Sequence, residues 1–127
     1  MELEKMICHR KATIREVMLC IDKNAKGTAF IVDDADKLIG VITDGDVRRL
    51  LIDGYGVNDS IQSHIKKEFV YALDTENFSD ITKKFNYRIR IIPIVNKEMK
   101  LVDYVEYDEN VRIALPQPQL NGKEYKY

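Results

Sequence analysis

Tryptophan is absent from these 127 residues, cysteine occurs twice, and neither charge sign dominates. Each shortage excludes something. Cys8 and Cys20 form no CxxC pair and no disulfide framework, which fits a reducing compartment. His9 stands beside Cys8 without a third or fourth ligand in reach, so no metal site is expected there. With 20 Lys+Arg against 21 Asp+Glu, the net charge of −1 supplies no basic field for nucleic acid or an anionic bilayer. No apolar run reaches the roughly 20 residues of a bilayer span. The opening Met1-Glu2-Leu3-Glu4-Lys5 is too charged for a secretory leader. The expectation is a cytoplasmic protein with no nucleic-acid and no membrane partner. Also missing are a Cys-His pair, a Ser-His-Asp set, a P-loop and a GxGxxG run, so the chain is not expected to be an enzyme by itself.

What is present is an ordinary globular composition, 45% hydrophobic and 32% charged, organised around one stretch. Leu38-Ile39-Gly40-Val41-Ile42-Thr43 reads as a buried strand, and Val47, Leu50 and Leu51 fall on one helical face just after it. The turn between them carries Thr43, Asp44, Gly45 and Asp46. A hydroxyl and a carboxylate at the end of a strand, beside the free amides of a helix start, suit a ribose diol and a nearby anion.

The rest of the first half supports that turn. A short strand is expected at 6–8. A helix follows, capped by Thr13 and Glu16 and faced by Ile14, Val17, Met18 and Ile21. A strand at 28–32 and a polar turn at 33–37 lead into the pivotal strand, and Asp53-Gly54 closes the helix after it.

The second half repeats the first. Val32 matches Val95, Leu38 matches Leu101 and Thr43 falls opposite Glu106, all 63 positions apart. The helical stripe recurs one position later as Phe78, Ile81, Thr82 and Phe85, with Asn77 and Asp80 in the capping places. Strands are expected at 69–72, 89–95 and 101–107, and one helical turn at Ile61, His64 and Ile65. Neither half buries much alone, so the two should pack across a pseudo-twofold axis.

A duplicated strand-helix-strand-strand-helix unit carrying Gly40-Val41-Ile42-Thr43-Asp44-Gly45-Asp46 resembles a pair of cystathionine-β-synthase-type domains, the CBS pair or Bateman module. Arg90-Ile91-Ile92-Pro93-Ile94-Val95 carries the likeness in the second repeat. The resemblance implies an α/β (α+β) fold of two tandem repeats, each a small three-stranded sheet with two helices. The expected boundaries are 1–56 for the first repeat, 57–109 for the second, and 110–127 for a linker and the start of a following domain. Implied in function is a regulatory module that senses an adenine nucleotide (AMP, ADP or ATP) or a related ligand, with a homodimer as the expected assembly. The run Thr43 to Arg49 further resembles CBS pairs attached to enzymes of sugar-nucleotide and sugar-phosphate metabolism. Residues 115–127 resemble the opening of pyridoxal-phosphate-dependent sugar aminotransferases, so a fused or associated enzyme domain is also implied.

Carried over position by position, the ligand-binding set is Thr43, Gly45, Asp46, Val70, Arg90, Ile91, Ile92 and Pro93. Asp46 would accept from the ribose hydroxyls, since a carboxylate offers two acceptor oxygens to a diol. Thr43 would bond ribose or phosphate, Val70, Ile91 and Ile92 would meet the base, and Arg90 the phosphate, with Lys66, Lys67 and Arg88 behind it. A second, equivalent cleft would hold Asp103, Glu106 and Glu109 in place of Gly40, Thr43 and Asp46, and Glu106 would repel an anion there. Each feature also has a plainer reading. Asp44 and Asp46 could simply cap the helix, the basic residues could form a solvated face, and the pair could be a dimerising scaffold without a ligand.

Overall fold

A computed structural model describes residues 2–107; Glu109 and the tail at 110–127 lie outside the described residues. Elements begin where local chemistry starts them. Thr13 precedes α1 (Ile14–Asn24) in extended conformation, its Oγ1 accepting from the Glu16 amide at 3.2 Å. Glu16 Oε1 accepts in return from the Thr13 amide at 3.0 Å. This reciprocal pair satisfies amides that a helix start otherwise leaves bare. Ile14, Val17 and Ile21 are buried, but Met18, expected on the same stripe, is 40% exposed. Three side chains already cover the contact with the sheet, and the fourth sits on its rim.

β1 (Ile7–His9) pairs in parallel with β2 (Thr28–Val32), which pairs antiparallel with β3 (Leu38–Thr43). β3 runs directly into α2 (Asp44–Ile52). The second sheet has the same design: β4 (Ala72–Leu73) parallel to β5 (Ile91–Val95), which is antiparallel to β6 (Leu101–Glu106). Between β4 and β5 lies the short α3 (Phe78–Thr82), capped by the Asn77 side chain, which accepts from the Asp80 amide at 2.8 Å. Mixed α/β architecture with two three-stranded sheets is thus what the chain adopts. The expected second helix of the second repeat would fall outside the described residues.

The duplication extends to hydrogen-bond register. Thr28 pairs with Thr43 and Val32 with Leu38; Ile91 pairs with Glu106 and Val95 with Leu101, each 63 positions on. The hairpin turns match as well. Asp33 Oδ1 accepts from the amides of Ala35 and Lys37, and Asn96 Oδ1 from those of Glu98 and Lys100. Both turns place a non-glycine residue in the left-handed region, Asp36 at φ 61° and Met99 at φ 64°. A side chain that bonds the backbone two residues on can hold a turn in that conformation. The equivalent residues Lys37 and Lys100 form a β-bridge with one another, so the pseudo-twofold axis passes between them.

Strand alternation then sorts side chains into three layers. Ala29 and Ile31 of β2 face α1 and α2, joining Ile14, Val17, Ile21, Ile42 and Val47. Ile92 of β5 faces α3, with Ile81, Phe85 and Ala72. Between the sheets, Met6, Phe30, Leu38 and Val95 are buried against Ile91, Leu101 and Tyr104. Phe30, with no exposed surface, meets Tyr104 edge-on at 6.0 Å between ring centroids. Past the expected boundary at 56, Ile61 remains with the first repeat: its amide donates to Ala12 O at 3.0 Å and its side chain is fully buried among the α1 residues.

Two strands are shorter than their residues suggest. Phe69, Val70 and Tyr71 pack into the inter-repeat and second-repeat cores without joining the ladder, so β4 holds only Ala72 and Leu73. Asn86 Oδ1 accepts from the amides of Arg88 and Ile89 at 2.8 Å each, a turn that delays β5 to Ile91. Both departures leave chain free to form a wall.

Because Phe30 fills the layer that both sheets share, Phe30→Ala should cost about 3–5 kcal/mol and lower the stability of both repeats in one transition. Urea unfolding followed by far-UV circular dichroism and by tyrosine fluorescence checks this; two separated transitions would contradict a shared core.

Candidate functional site

The ends of β3 and β6 and the starts of β2 and β5 all lie at the end of the sheets away from the Lys37–Lys100 bridge. There the repeats part to leave a cleft of about 820 Å³. One wall is first-repeat chain: Lys26, Gly27 and Thr28 entering β2, Val41 and Thr43 of β3, then Gly45, Asp46 and Arg49 of α2. The other wall carries Phe69 and Val70, then 88–91, then Glu106 and Tyr107 at the end of β6. A volume of this order suits a small organic ligand.

Asp46 is held by three neighbours. Its Oδ2 accepts from the Thr43 amide at 2.9 Å while Thr43 Oγ1 accepts from the Asp46 amide at 3.2 Å, a second capping box. Oδ1 accepts from Arg49 Nη2 at 2.6 Å and has Lys66 Nζ at 3.6 Å. Partial burial pushes the carboxyl upward, but the Thr43 amide, the Arg49 guanidinium and Lys66 together outweigh it and hold Asp46 below its ordinary value. It is therefore an anion at neutral pH. Each carboxylate oxygen keeps a lone pair beyond its bond to the Thr43 amide or to Arg49, for which the Thr43 hydroxyl and Lys66 compete with any ligand hydroxyl.

Across the cleft, the Arg90 guanidinium lies over the Tyr107 ring at 4.5 Å, and the Tyr107 amide donates to Arg90 O at 2.8 Å. At the mouth Lys26 Nζ meets Glu106 Oε1 at 2.9 Å. The Glu106 carboxylate raises the Lys26 pKa through that hydrogen bond and its charge. Four cations, Lys26, Arg49, Arg88 and Arg90, thus share the cleft with two carboxylates, Asp46 and Glu106. The surplus is positive and favours an anion.

Of the residues expected from the sequence, Thr43, Gly45, Asp46, Val70, Arg90 and Ile91 come together on this one cleft. Ile92 and Pro93 do not. Strand alternation turns Ile92 to the α3 side, where it is fully buried, and Pro93 is buried in the body of β5. Glu106 was expected in a separate, second cleft; it lines the same one as Thr43, with its charge already met by Lys26. Lys66 sits beside Asp46 and Lys67 borders a different cavity. Sequence reasoning passed over Lys26 and Thr28 and favoured a solvated face for Arg49, which lines the cleft instead. Thr28 could have been found as the ladder partner of Thr43, and Arg49 as a helix neighbour three residues from Asp46. Nothing local signals Lys26, whose partner lies 80 positions away. Among the described residues, no group of three or more His, Cys, Asp or Glu could hold a metal ion, and no helix is long and apolar enough to cross a membrane. His9 is paired instead with Asp34 at 2.7 Å.

Residues 4–53 match the family model described as the CBS domain. Solved structures of similar fold include the CBS domain protein PAE2072 from Pyrobaculum aerophilum, complexed with AMP, at a TM-score of 0.66 and 21% identity, covering 83% of this chain and 86% of that one. The fold is that of a CBS domain pair. The same CBS-pair fold relates the chain to protein MJ1225 from Methanocaldococcus jannaschii (TM-score 0.69, 16% identity, 79% of this chain and 42% of that one). It also relates it to the cytosolic domain of the Mg2+ channel MgtE in complex with ATP (TM-score 0.67, 18% identity, 84% and 44%). By sequence, MJ1225 is 30% identical over 94 residues, 73% of this chain and 33% of that protein. An uncharacterized Helicobacter pylori protein is 21% identical over 105 residues, 81% of this chain and 32% of its own length. The chain spans about a third of the length of the curated relatives it matches.

The capping role of Asp46 has a pH signature. Its carboxyl lies low in the fold, so its stabilisation is complete above the ordinary carboxylate value and is lost as pH falls through the lower folded value. Asp46→Ala should cost about 1 kcal/mol at neutral pH and close to nothing in strong acid, read by urea unfolding of both proteins at each pH. An equal cost at both would contradict the box.

Proposed function

We propose that this chain is a non-catalytic regulatory module that binds an adenine nucleotide in the cleft between its repeats. The observation that carries the reading is the convergence on one cleft of a diol acceptor, Asp46 beside Thr43, with apolar Val70 and Ile91 and the cations Arg88 and Arg90 opposite. In this arrangement Asp46 and Thr43 take the ribose, Val41, Val70 and Ile91 flank the base, and the arginines with Lys26 meet phosphate. PAE2072 with AMP and the MgtE domain with ATP support an adenine nucleotide as the ligand class. Binding that bridges the two walls would bias how the repeats pack, and through them a linked partner.

A place within a larger protein of sugar-nucleotide metabolism belongs to the same proposal, resting on the Thr43 to Arg49 run alone. The aminotransferase-like stretch at 115–127 lies outside the described residues and draws no support from the relatives. Homodimer formation is proposed from the exposed Met18, Leu19, Leu51 and Ile52 on α1 and α2. One observation favours the ligandless scaffold as a second reading: Asp46 already has its own partners in Thr43, Arg49 and Lys66.

Calorimetry of the full chain with AMP, ADP, ATP and sugar nucleotides separates the readings. The sensor should bind an adenine nucleotide, and Asp46→Asn should weaken it about tenfold, roughly 1.4 kcal/mol, with the circular dichroism spectrum unchanged. Absence of binding by every nucleotide, with a concentration-dependent dimer in light scattering, would establish the scaffold instead. Glu106→Gln removes the carboxylate that competes for Lys26, so nucleotide affinity should rise several-fold at low salt and fall more steeply as salt is added. An affinity that falls would show that Glu106 itself contacts the ligand.

A further inference from the structure

Beside the Lys37–Lys100 bridge, away from the cleft, lies a second cavity of about 570 Å³. The connection between the repeats builds it. Ile65 lies so close over Gly40 that a side chain on that glycine would collide with it, which pins the connection across β3. From there to β4 the chain runs outside both ladders, and its side chains alternate. Lys66 reaches Asp46 and Val70 lines the cleft, whereas Ile65, Lys67, Phe69 and Tyr71 border the second cavity. Leu38 and Ile39 at the start of β3 and Met99 of the opposite hairpin close it. The Leu38 amide donates to Met99 O at 2.8 Å, so the floor joins both repeats. Of the described residues, Phe69 alone belongs to both this lining and that of the cleft.

We propose that this cavity is a separate binding site for a small aromatic carboxylate. Its lining complements both halves of such a ligand. Ile39, Ile65, Phe69, Tyr71 and Met99 are each only half-buried, so each keeps apolar surface open to the cavity. The rings of Phe69 and Tyr71 stand tilted with their centroids 5.5 Å apart, which leaves ring faces and edges on which a third ring can pack. The Met99 thioether adds a polarisable contact to an aromatic guest. A cavity of this size suits a compact organic molecule.

The sign of the charge comes from the polar residues. Arg10, Lys67 and Gln62 are on the lining, and among the described residues no carboxylate is. The Arg10 amide donates to Val32 O at 2.9 Å, which fixes this residue just past the end of β1. Its Nη2 donates to Asp34 Oδ2 at 2.8 Å, which leaves other N–H groups of the guanidinium for a second acceptor. Asp34 is also bonded to His9 at 2.7 Å, so its charge is divided and the Lys67 ammonium stays in surplus. A carboxylate can accept from both cations, while its ring sits among the apolar side chains. The site does not depend on a nucleotide in the cleft, from which the ring of Phe69 separates it.

Calorimetry of the full chain with 2-naphthoate tests the site, beside 2-naphthamide, which has the shape without the charge, and acetate, which has the charge without the rings. Naphthoate should bind at least ~5-fold more tightly than naphthamide, and acetate should give no measurable heat. Lys67→Gln, a change at an exposed side chain, should bring naphthoate close to the naphthamide level with the circular dichroism spectrum unchanged. In amide-resolved NMR of the full chain, naphthoate should shift Leu38, Ile39, Ile65, Phe69, Tyr71 and Met99 and leave Thr43 and Asp46 in place. Naphthamide binding as tightly as naphthoate, an affinity unchanged by Lys67→Gln, shifts centred on Thr43 and Asp46, or no saturable binding of naphthoate would each overturn the proposal.

Discussion

Burial of one face of β2 against one face of β5 is the constraint on which this molecule depends. Each sheet has three short strands, and helices cover only its outer side, so the inner side of each must be covered by the other. Phe30 and Val95 at that interface are fully buried, and a buried side chain of this kind contributes about 1.5–3 kcal/mol relative to exposure. Once the two inner faces meet, the pseudo-twofold axis and the register of both hairpins follow. So does the cleft, because the sheets touch at the Lys37–Lys100 end and part at the other.

The same residues start the helix and furnish the candidate site. Thr43 and Asp46 form a capping box because a helix start has free amides to satisfy, and the box leaves a charged, oriented carboxylate at the lip of the cleft. The plainer reading of Asp46 as a cap and the functional one as a diol acceptor are therefore compatible: a carboxylate has lone pairs enough for both. In the second repeat the matching strand end carries Glu106, which has turned to Lys26 across the cleft. Duplication has left one mouth with unlike walls.

How far the sequence could be read depended on whether each feature was local. The capping pair at Thr13/Glu16 and the strand at 28–32 rest on near neighbours and stand in the fold, as does the offset of 63 between repeats; Asp46 caps α2 as read, but with Thr43 and not Asp44 as its partner. Features set by packing were not legible. The start of β5 slipped to Ile91 because Asn86 bonds the preceding amides, and β4 shrank because 69–71 were drawn into the cores. Ile92 was a misjudged face, although parity with Ile91 could have settled it. The Lys26–Glu106 pair required the whole tertiary arrangement.

The central claim is that the two repeats jointly make one nucleotide site. The most direct measurement is a crystal structure of the full chain grown with AMP. The account predicts AMP in the cleft, its ribose hydroxyls on Asp46 and Thr43 and its base against Val70 and Ile91. AMP bound to one repeat alone, or at the Lys37–Lys100 end with the cleft closed by its own side chains, would contradict it.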